Sequence, residues 1–288
     1  MKKYLSVTYR VVLYGFAGIG LLFALVFFGM QFGAFNVPGS NDARNANLLK
    51  NVDSSVAQKI AERSAPCDDS TLTACPWNQT PQWEVVKQGL LKDQVVISRV
   101  AAETGVSPRL IAAVVIPEQI RFFTAEREVF KRYFEPLKIL GSLSQFSLGV
   151  SGIKQETARQ IEQYANDPTS PFYPGEGIAR LIAYTETSDH DSLLYKRLTN
   201  EKDHYYSYLY TAIFIKEIQT QWQRAGFSLT DAPGAIVTLF NIGFEKSQPH
   251  ASPQTAGASI SVGGTSYTFG KLGERFYLSE EIVAEFPR

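Results

Sequence analysis

The strongest constraint on this 288-residue chain is an apolar run without charge at residues 11–30, VVLYGFAGIGLLFALVFFGM. Twenty helical residues extend about 30 Å, which matches the hydrocarbon thickness of a bilayer. Basic residues precede the run and none directly follows it, so the positive-inside rule places the N-terminus in the cytoplasm. The sequence therefore predicts a cytoplasmic segment at 1–10, a transmembrane anchor at 11–32 in the inner membrane, and a body in the periplasm.

A cleaved signal peptide is the alternative interpretation of the same run. Signal peptides usually carry about 7–15 apolar residues before a small-residue cleavage site. This run is longer, and residues 31–35, QFGAF, offer no A-x-A site, which favours the anchor. Under either interpretation the body of the chain is exported.

Charge is distributed unevenly between the first 35 residues and the rest of the chain. Residues 1–35 hold three of the 28 basic residues and none of the 28 acidic ones, which leaves the rest with a net charge of −3. A body without excess positive charge is poorly suited to a phosphate backbone, so nucleic-acid binding is disfavoured. The hydrophobic content of 44% argues against a disordered chain.

Two cysteines, Cys67 and Cys75, lie in a polar stretch of the exported part. In an oxidising compartment they could form a disulfide that closes a small loop, and two free thiols are the alternative. Two cysteines cannot form a four-cysteine zinc site, and the three histidines lie far apart in the sequence. We predict no metal and no cofactor.

A polar composition rich in Asn, Ser and Asp predicts a linker over residues 33–79. Capping signals predict one mainly α-helical domain over 80–288. Thr80 and Pro81 begin a helix that Gly105 ends, and Ser107-Pro108 begins the next. Further predicted elements are, in chain order, a helix over 205–225 ended by Gly226, a helix capped by Asp231 and ended by Gly243, a short β-hairpin of 258–262 and 266–269 around Gly263-Gly264, and a final helix from about Leu278.

Glu118 is the most informative single residue, because it continues an apolar helical face. Ile111, Val114 and Val115 precede it by seven, four and three positions and therefore share its side of the helix. A carboxyl group that is buried without a cation favours its protonated form, which suits a general acid. The alternative is a helix-end carboxylate that reaches solvent or pairs with Arg121.

Three sequence blocks resemble lysozyme-like lytic transglycosylase domains, which include soluble lytic transglycosylases and goose-type lysozymes. Gly105-Val106-Ser107-Pro108, followed by LIAAVVIPEQ, resembles the Gly-Val-x-Pro opening and the helix that ends in the catalytic Glu of that family. Residues 147–158, SLGVSGIKQETA, resemble its G-L-M-Q-I-x-P-x-T-A block, and residues 238–243, TLFNIG, its A-Y-N-x-G block. The blocks follow the family order across residues 105–243.

The resemblance implies a lysozyme-like fold and cleavage of the β-1,4 bond between N-acetylmuramic acid and N-acetylglucosamine in peptidoglycan. It implies Glu118 as the single catalytic acid. The substrate-binding residues that it implies are Ser147, Gly149, Gly152, Phe240 and Asn241. The chain departs from the family at four positions: Gln119 replaces Ser, Gly152 replaces Gln, Gln155 replaces Pro and Phe240 replaces Tyr.

These departures indicate a divergent member and keep two other hypotheses open. The first is a glycan-binding or scaffold protein of the cell envelope that has lost the activity. The second is an unrelated anchored helical domain in an envelope protein complex.

Overall fold

The computed structural model describes Tyr14, Leu21 and residues 76–124, 147–148, 150–185, 189–200 and 202–288. The predicted linker, including Cys67 and Cys75, lies outside these residues up to position 75, and so does the predicted anchor apart from Tyr14 and Leu21. Among the described helices, none is both long and apolar enough to cross a membrane.

The described body is mainly α-helical, as predicted, with two short antiparallel hairpins. Its helices are α1 Pro81–Lys92, α2 Gln94–Thr104, α3 Pro108–Thr124, α4 Gln155–Asn166, α5 Glu176–Ile182, α6 His190–Leu198, α7 Tyr205–Arg224, α8 Pro233–Ile242 and α9 Phe269–Leu278. Its strands are β1 Ser147–Leu148 and β2 Ile153–Lys154, which pair with each other, and β3 Ser259–Val262 and β4 Thr265–Thr268, which form the second pair.

Several predicted helix boundaries are confirmed. Thr80 caps α1, with its hydroxyl accepting the N–H of Trp83, and Gly105 ends α2 in the left-handed conformation at φ 70°. Helix α8 ends at Gly243. The single hairpin that the sequence predicts is confirmed as β3 and β4, and Gly263 and Gly264 form its turn with positive φ at both positions.

Three boundary predictions are wrong. The helix predicted from Thr80 to Gly105 is two helices, because Asp93 leaves helical geometry and its carboxylate contacts His204 and Tyr208. Asp231 does not cap α8, because the residue before the helix is Ala232. The helix begins at Pro233, which has no N–H group to satisfy.

The third wrong prediction is the final helix from about Leu278. Leu278 ends α9 instead, and the chain after it forms turns whose carbonyl groups bond to Arg109. Those carbonyls are therefore satisfied by a side chain rather than by a further helix.

Helix α3 lies in the centre of the core. Every residue from Arg109 to Glu118 is buried, and the helix packs against α1, α2, α7, α8, α9 and β3. A helix that is apolar all round is expected in such a position. The long helix α7 is the second central element, with its buried face running from Ser207 to Ile218.

Helix α9 runs antiparallel to α3 in close contact. A Cβ atom on Gly273 would lie 2.5 Å from the Ala113 carbonyl oxygen, so only glycine permits this approach. Farther along α9, the carbonyls of Phe276 and Tyr277 bond to Arg109. The first residue of α9, Phe269, therefore lies toward the Glu118 end of α3.

Candidate active site

The candidate site is built around Glu118, near the C-terminal end of α3. Its residue surface is 3% exposed, and Ile111, Val114 and Val115 on the same face are buried, as the periodicity predicts. Pro117 lies within the helix, which nevertheless continues to Thr124. The sequence thus places a carboxylate directly after the apolar buried stretch from Leu110 to Pro117.

The first hairpin brings its loop directly against this carboxylate. Gly152 has φ 65°, and a Cβ atom built on it would lie 2.2 Å from Glu118 Oε1 and 2.6 Å from Glu118 Cγ. Only a glycine backbone can come this close in this conformation. The second sequence block therefore meets the first in space at Glu118 and Gly152.

Two side chains hold the hairpin loop in this position. The Gln119 amide donates to the Val150 carbonyl, and the Ser151 hydroxyl lies 3.2 Å from both the carbonyl and the hydroxyl oxygen of Ser207 on α7. Gln119 thus bonds to the loop that lies against Glu118. These contacts were not predicted, since no local sequence pattern links positions 119 and 150.

Arg121 forms an ion pair with the candidate acid. Its Nη2 lies 2.5 Å from Glu118 Oε1, and its side chain is 23% exposed while that of Glu118 is 4% exposed. The pairing that the sequence left open as an alternative is therefore present. The guanidinium is the more exposed partner of the pair.

Asn241 lies at the same end of α3 as Glu118. Its Oδ1 accepts the N–H of Ala258 at 2.9 Å, and the Ala258 carbonyl accepts the N–H of Phe269 at 2.8 Å. Because Phe269 lies toward the Glu118 end of α3, the third sequence block joins the same region. In this structure the Asn241 carboxamide oxygen holds the segment that leads into β3.

The other predicted substrate-binding residues have different environments. Phe240 packs edge-on against Phe214, with 4.9 Å between the ring centroids, and is partly buried. The backbone of Ser147 pairs with Lys154 in the first hairpin. Gly149 lies outside the described residues.

Sequence reasoning missed a polar network around Glu162 on α4. Its Oε1 accepts the hydroxyl groups of Tyr184, at 2.7 Å, and of Tyr210, and its Oε2 lies 3.3 Å from His190 Nε2. Burial, followed by the hydrogen bond to Glu162, raises the pKa of Tyr184 to about 12. The sequence alone offers only a glutamate on the amphipathic helix α4. The partners of Glu162 lie more than 20 positions away, so no local pattern indicated them.

A second missed carboxyl group, Glu217, lies in the middle of α7. It is completely buried, and both its oxygens lack a hydrogen-bond partner among the described residues. Burial raises the pKa of Glu217 well above its ordinary value. Burial in these surroundings therefore disfavours the charged form of the group.

One of the three histidines, His204, forms a contact that the sequence did not predict. Its Nδ1 lies 2.6 Å from Asp93 Oδ2, and the hydrogen bond to that carboxylate raises the pKa of His204. Across the described ranges, no group of three or more His, Cys, Asp or Glu side chains is arranged to hold a metal ion.

The chain matches no protein-family model, no curated protein and no solved structure.

Proposed function

We propose that the chain is a membrane-anchored, peptidoglycan-cleaving glycosidase, either a lytic transglycosylase or a muramidase. The body would adopt a divergent lysozyme-like fold in the periplasm, tethered by an N-terminal helix in the inner membrane. The observation that carries the proposal is the contact between Glu118 and the Gly152 backbone. It unites, at one buried carboxyl group, two of the blocks on which the resemblance rests.

The proposed reaction uses a single carboxyl group. Glu118 in its protonated form would donate a proton to the glycosidic oxygen, and the substrate's own acetamido group would stabilise the anomeric carbon. Glu118 would then act as a base toward either the 6-hydroxyl group of the sugar or a water molecule. The first outcome leaves an anhydro-muramyl end, and the second is hydrolysis.

The other carboxylate of the hairpin block does not supply a second catalytic group in this scheme. Glu156 lies in the first turn of α4 and is exposed, a position that suits the positive end of the helix dipole. A retaining or inverting mechanism with two protein carboxylates would need a partner opposite Glu118. The substrate-assisted scheme needs none.

The Arg121 ion pair favours a second candidate function, a glycan-binding protein without activity. An adjacent guanidinium stabilises the charged carboxylate, whereas a general acid must hold a proton. Under the enzymatic proposal, the incoming glycan displaces Arg121, which is the more exposed partner. Under the alternative, the ion pair persists and the site only binds.

Cleavage of purified peptidoglycan by the full-length chain, followed by separation of the released muropeptides, tests the proposal. We expect Glu118→Gln to lower the rate by about 10²–10⁴-fold, the usual contribution of a general acid. Glu156→Gln is the matched control and should retain the rate. Full activity of Glu118→Gln would contradict the assignment, and binding without any cleavage by the unaltered chain would favour the scaffold function.

A further inference from the structure

A second concave site lies between α5, α6 and α7, apart from the Glu118 carboxylate. It is a pocket of about 260 Å³, and the residues that line it include Tyr184, Lys196, Arg197, Asn200 and Tyr206. This volume is below the roughly 300–1,000 Å³ of pockets that enclose a whole small molecule. The pocket therefore suits a side group of a larger ligand.

One wall of the pocket is a fixed stack of aromatic rings and a guanidinium. Arg197 Cζ lies 3.7 Å from the centroid of the Tyr184 ring and 4.4 Å from that of Tyr206. The two terminal nitrogens of Arg197 donate to the carbonyls of Ile182 and Ala183, at 2.6 and 2.8 Å. Because these bonds hold the guanidinium in place, it contributes a positive charge of defined position.

The second cation, Lys196, is exposed and forms no ion pair with any described residue. None of the described residues that line the pocket is a carboxylate. The hydroxyl group of Tyr184 donates to Glu162, so the charged groups among the described lining residues are Lys196 and Arg197. A ligand group that fits these surroundings carries a negative charge and an apolar surface for the tyrosine rings.

The pocket is linked to Glu118 through consecutive residues. Tyr206 lines the pocket, and the next residue, Ser207, bonds to Ser151 in the hairpin loop. The residue after Ser151, Gly152, lies against Glu118. One polymer could therefore occupy both places.

We propose that this pocket binds a carboxylate of the peptide stem that branches from muramic acid. The inference rests on the proposed function, because it takes peptidoglycan as the polymer at Glu118. The peptide stem branches from the glycan strand, and it is the part of that polymer that combines carboxylates with aliphatic side chains. The pocket would thus select strands that carry peptides over strands from which peptides have been removed.

Binding of two probes to the full-length chain in detergent tests this inference. One probe is the disaccharide of N-acetylglucosamine and N-acetylmuramic acid with a tetrapeptide stem, and the other is the same disaccharide without a stem. The Glu118→Gln background prevents turnover during calorimetric titration. We expect tighter binding of the probe with the stem, and a preference that weakens as salt concentration rises.

Lys196→Glu should weaken binding of the probe with the stem by about five- to tenfold and leave the other probe unchanged. Lys246→Glu, at another exposed lysine outside the pocket, makes the same change in net charge and should alter neither affinity. Equal affinities for the two probes, or equal losses in the two lysine variants, would overturn the pocket assignment.

Cleavage assays with Glu118 intact separate this inference from the function on which it rests. Cleavage of both kinds of strand without a stem preference overturns the pocket inference alone. Absence of cleavage together with a Lys196-dependent preference overturns the enzymatic proposal and supports the pocket as a muropeptide-binding site.

Discussion

Arg109 and Glu118 lie at opposite ends of the buried part of α3, and the two charged side chains have different kinds of partner. All five N–H groups of Arg109 donate to backbone carbonyls of the C-terminal segment: those of Phe276, Tyr277, Ser279, Glu281 and Phe286. Glu118 instead forms an ion pair with the partly exposed side chain of Arg121 and lies against the backbone of Gly152.

This difference separates a structural charge from a candidate catalytic one. The donors of Arg109 are fully used by its own chain, so a ligand has nothing to replace. The ion pair of Glu118 joins it to a partly exposed side chain, which a ligand can displace. Charge burial alone does not identify a site, and the partner of the charge is the more informative feature.

The largest effect is expected at the structural end of α3. Arg109→Leu should lower the free energy of unfolding by about 3–5 kcal/mol, because it leaves the buried carbonyls of the C-terminal segment without donors. Urea unfolding monitored by circular dichroism measures the change. Arg275→Leu, at an exposed position on α9, is the control and should change stability little. Equal losses of unfolding free energy in the two variants would show that the bonds of Arg109 are not important for stability.

Gly152→Ala tests the other end. The new Cβ would overlap Glu118 Oε1, so the carboxylate must move, and a misplacement of about 1 Å can reduce a rate about 10²-fold. Alanine is also disfavoured in the left-handed conformation of Gly152, so the free energy of unfolding should fall by about 1–2 kcal/mol.

Gly264→Ala separates these two effects. Gly264 has φ 70°, and a Cβ atom there would meet no atom within 4 Å. We expect a similar loss of stability with full cleavage activity. A comparable drop in rate for both variants would show that the contact with Glu118 is irrelevant to catalysis.

Glu217 extends the comparison to a buried carboxyl group whose two oxygens accept no hydrogen bond from any described residue. Since its folded-state pKa is raised, the unfolded state releases this proton first as pH rises. Stability should therefore be greatest below the unfolded pKa of about 4.3 and fall above it, by at most about 1.4 kcal/mol per pH unit, until the folded pKa is passed.

Glu217→Gln should abolish this part of the pH dependence, because the amide does not titrate in that range. Thermal unfolding at pH 5 and pH 8 measures it, with the exposed Glu245→Gln as the control that retains the slope of the unaltered chain. An unchanged pH dependence of stability in Glu217→Gln would mean that the pKa of Glu217 is the same in the folded and unfolded states, which would contradict the prediction.

Local signals in the sequence predicted much of the helical framework. The Thr80 cap, the Gly105 and Gly243 ends and the Gly263-Gly264 turn depend on residues a few positions apart. The buried face of Glu118 followed from helical periodicity alone. These features are local, so a single sequence contains the information for them.

Contacts between distant residues could not be predicted in this way. The break at Asp93 arises because its carboxylate bonds to His204 and Tyr208, more than one hundred positions later. The proximity of Gly152 to Glu118 followed only from the resemblance, and no periodic pattern indicated that Arg109 would bind the C-terminal segment. Such contacts depend on how helices pack, which local propensity does not determine.

The smallest and most specific test is Arg121→Gln, which asks whether the cation beside Glu118 controls its proton. Without the guanidinium, the neutral acid should persist to higher pH, so the alkaline limit of cleavage should move upward. Stability should fall by less than in Arg109→Leu, since Glu118 can take up a proton once the cation is removed. Arg99→Gln, which removes the exposed pair with Glu103, should leave the pH profile unchanged. If Arg121→Gln instead destabilises the fold as strongly as Arg109→Leu without moving the pH profile, both ends of α3 serve the fold, and the reason to place catalysis at Glu118 is lost.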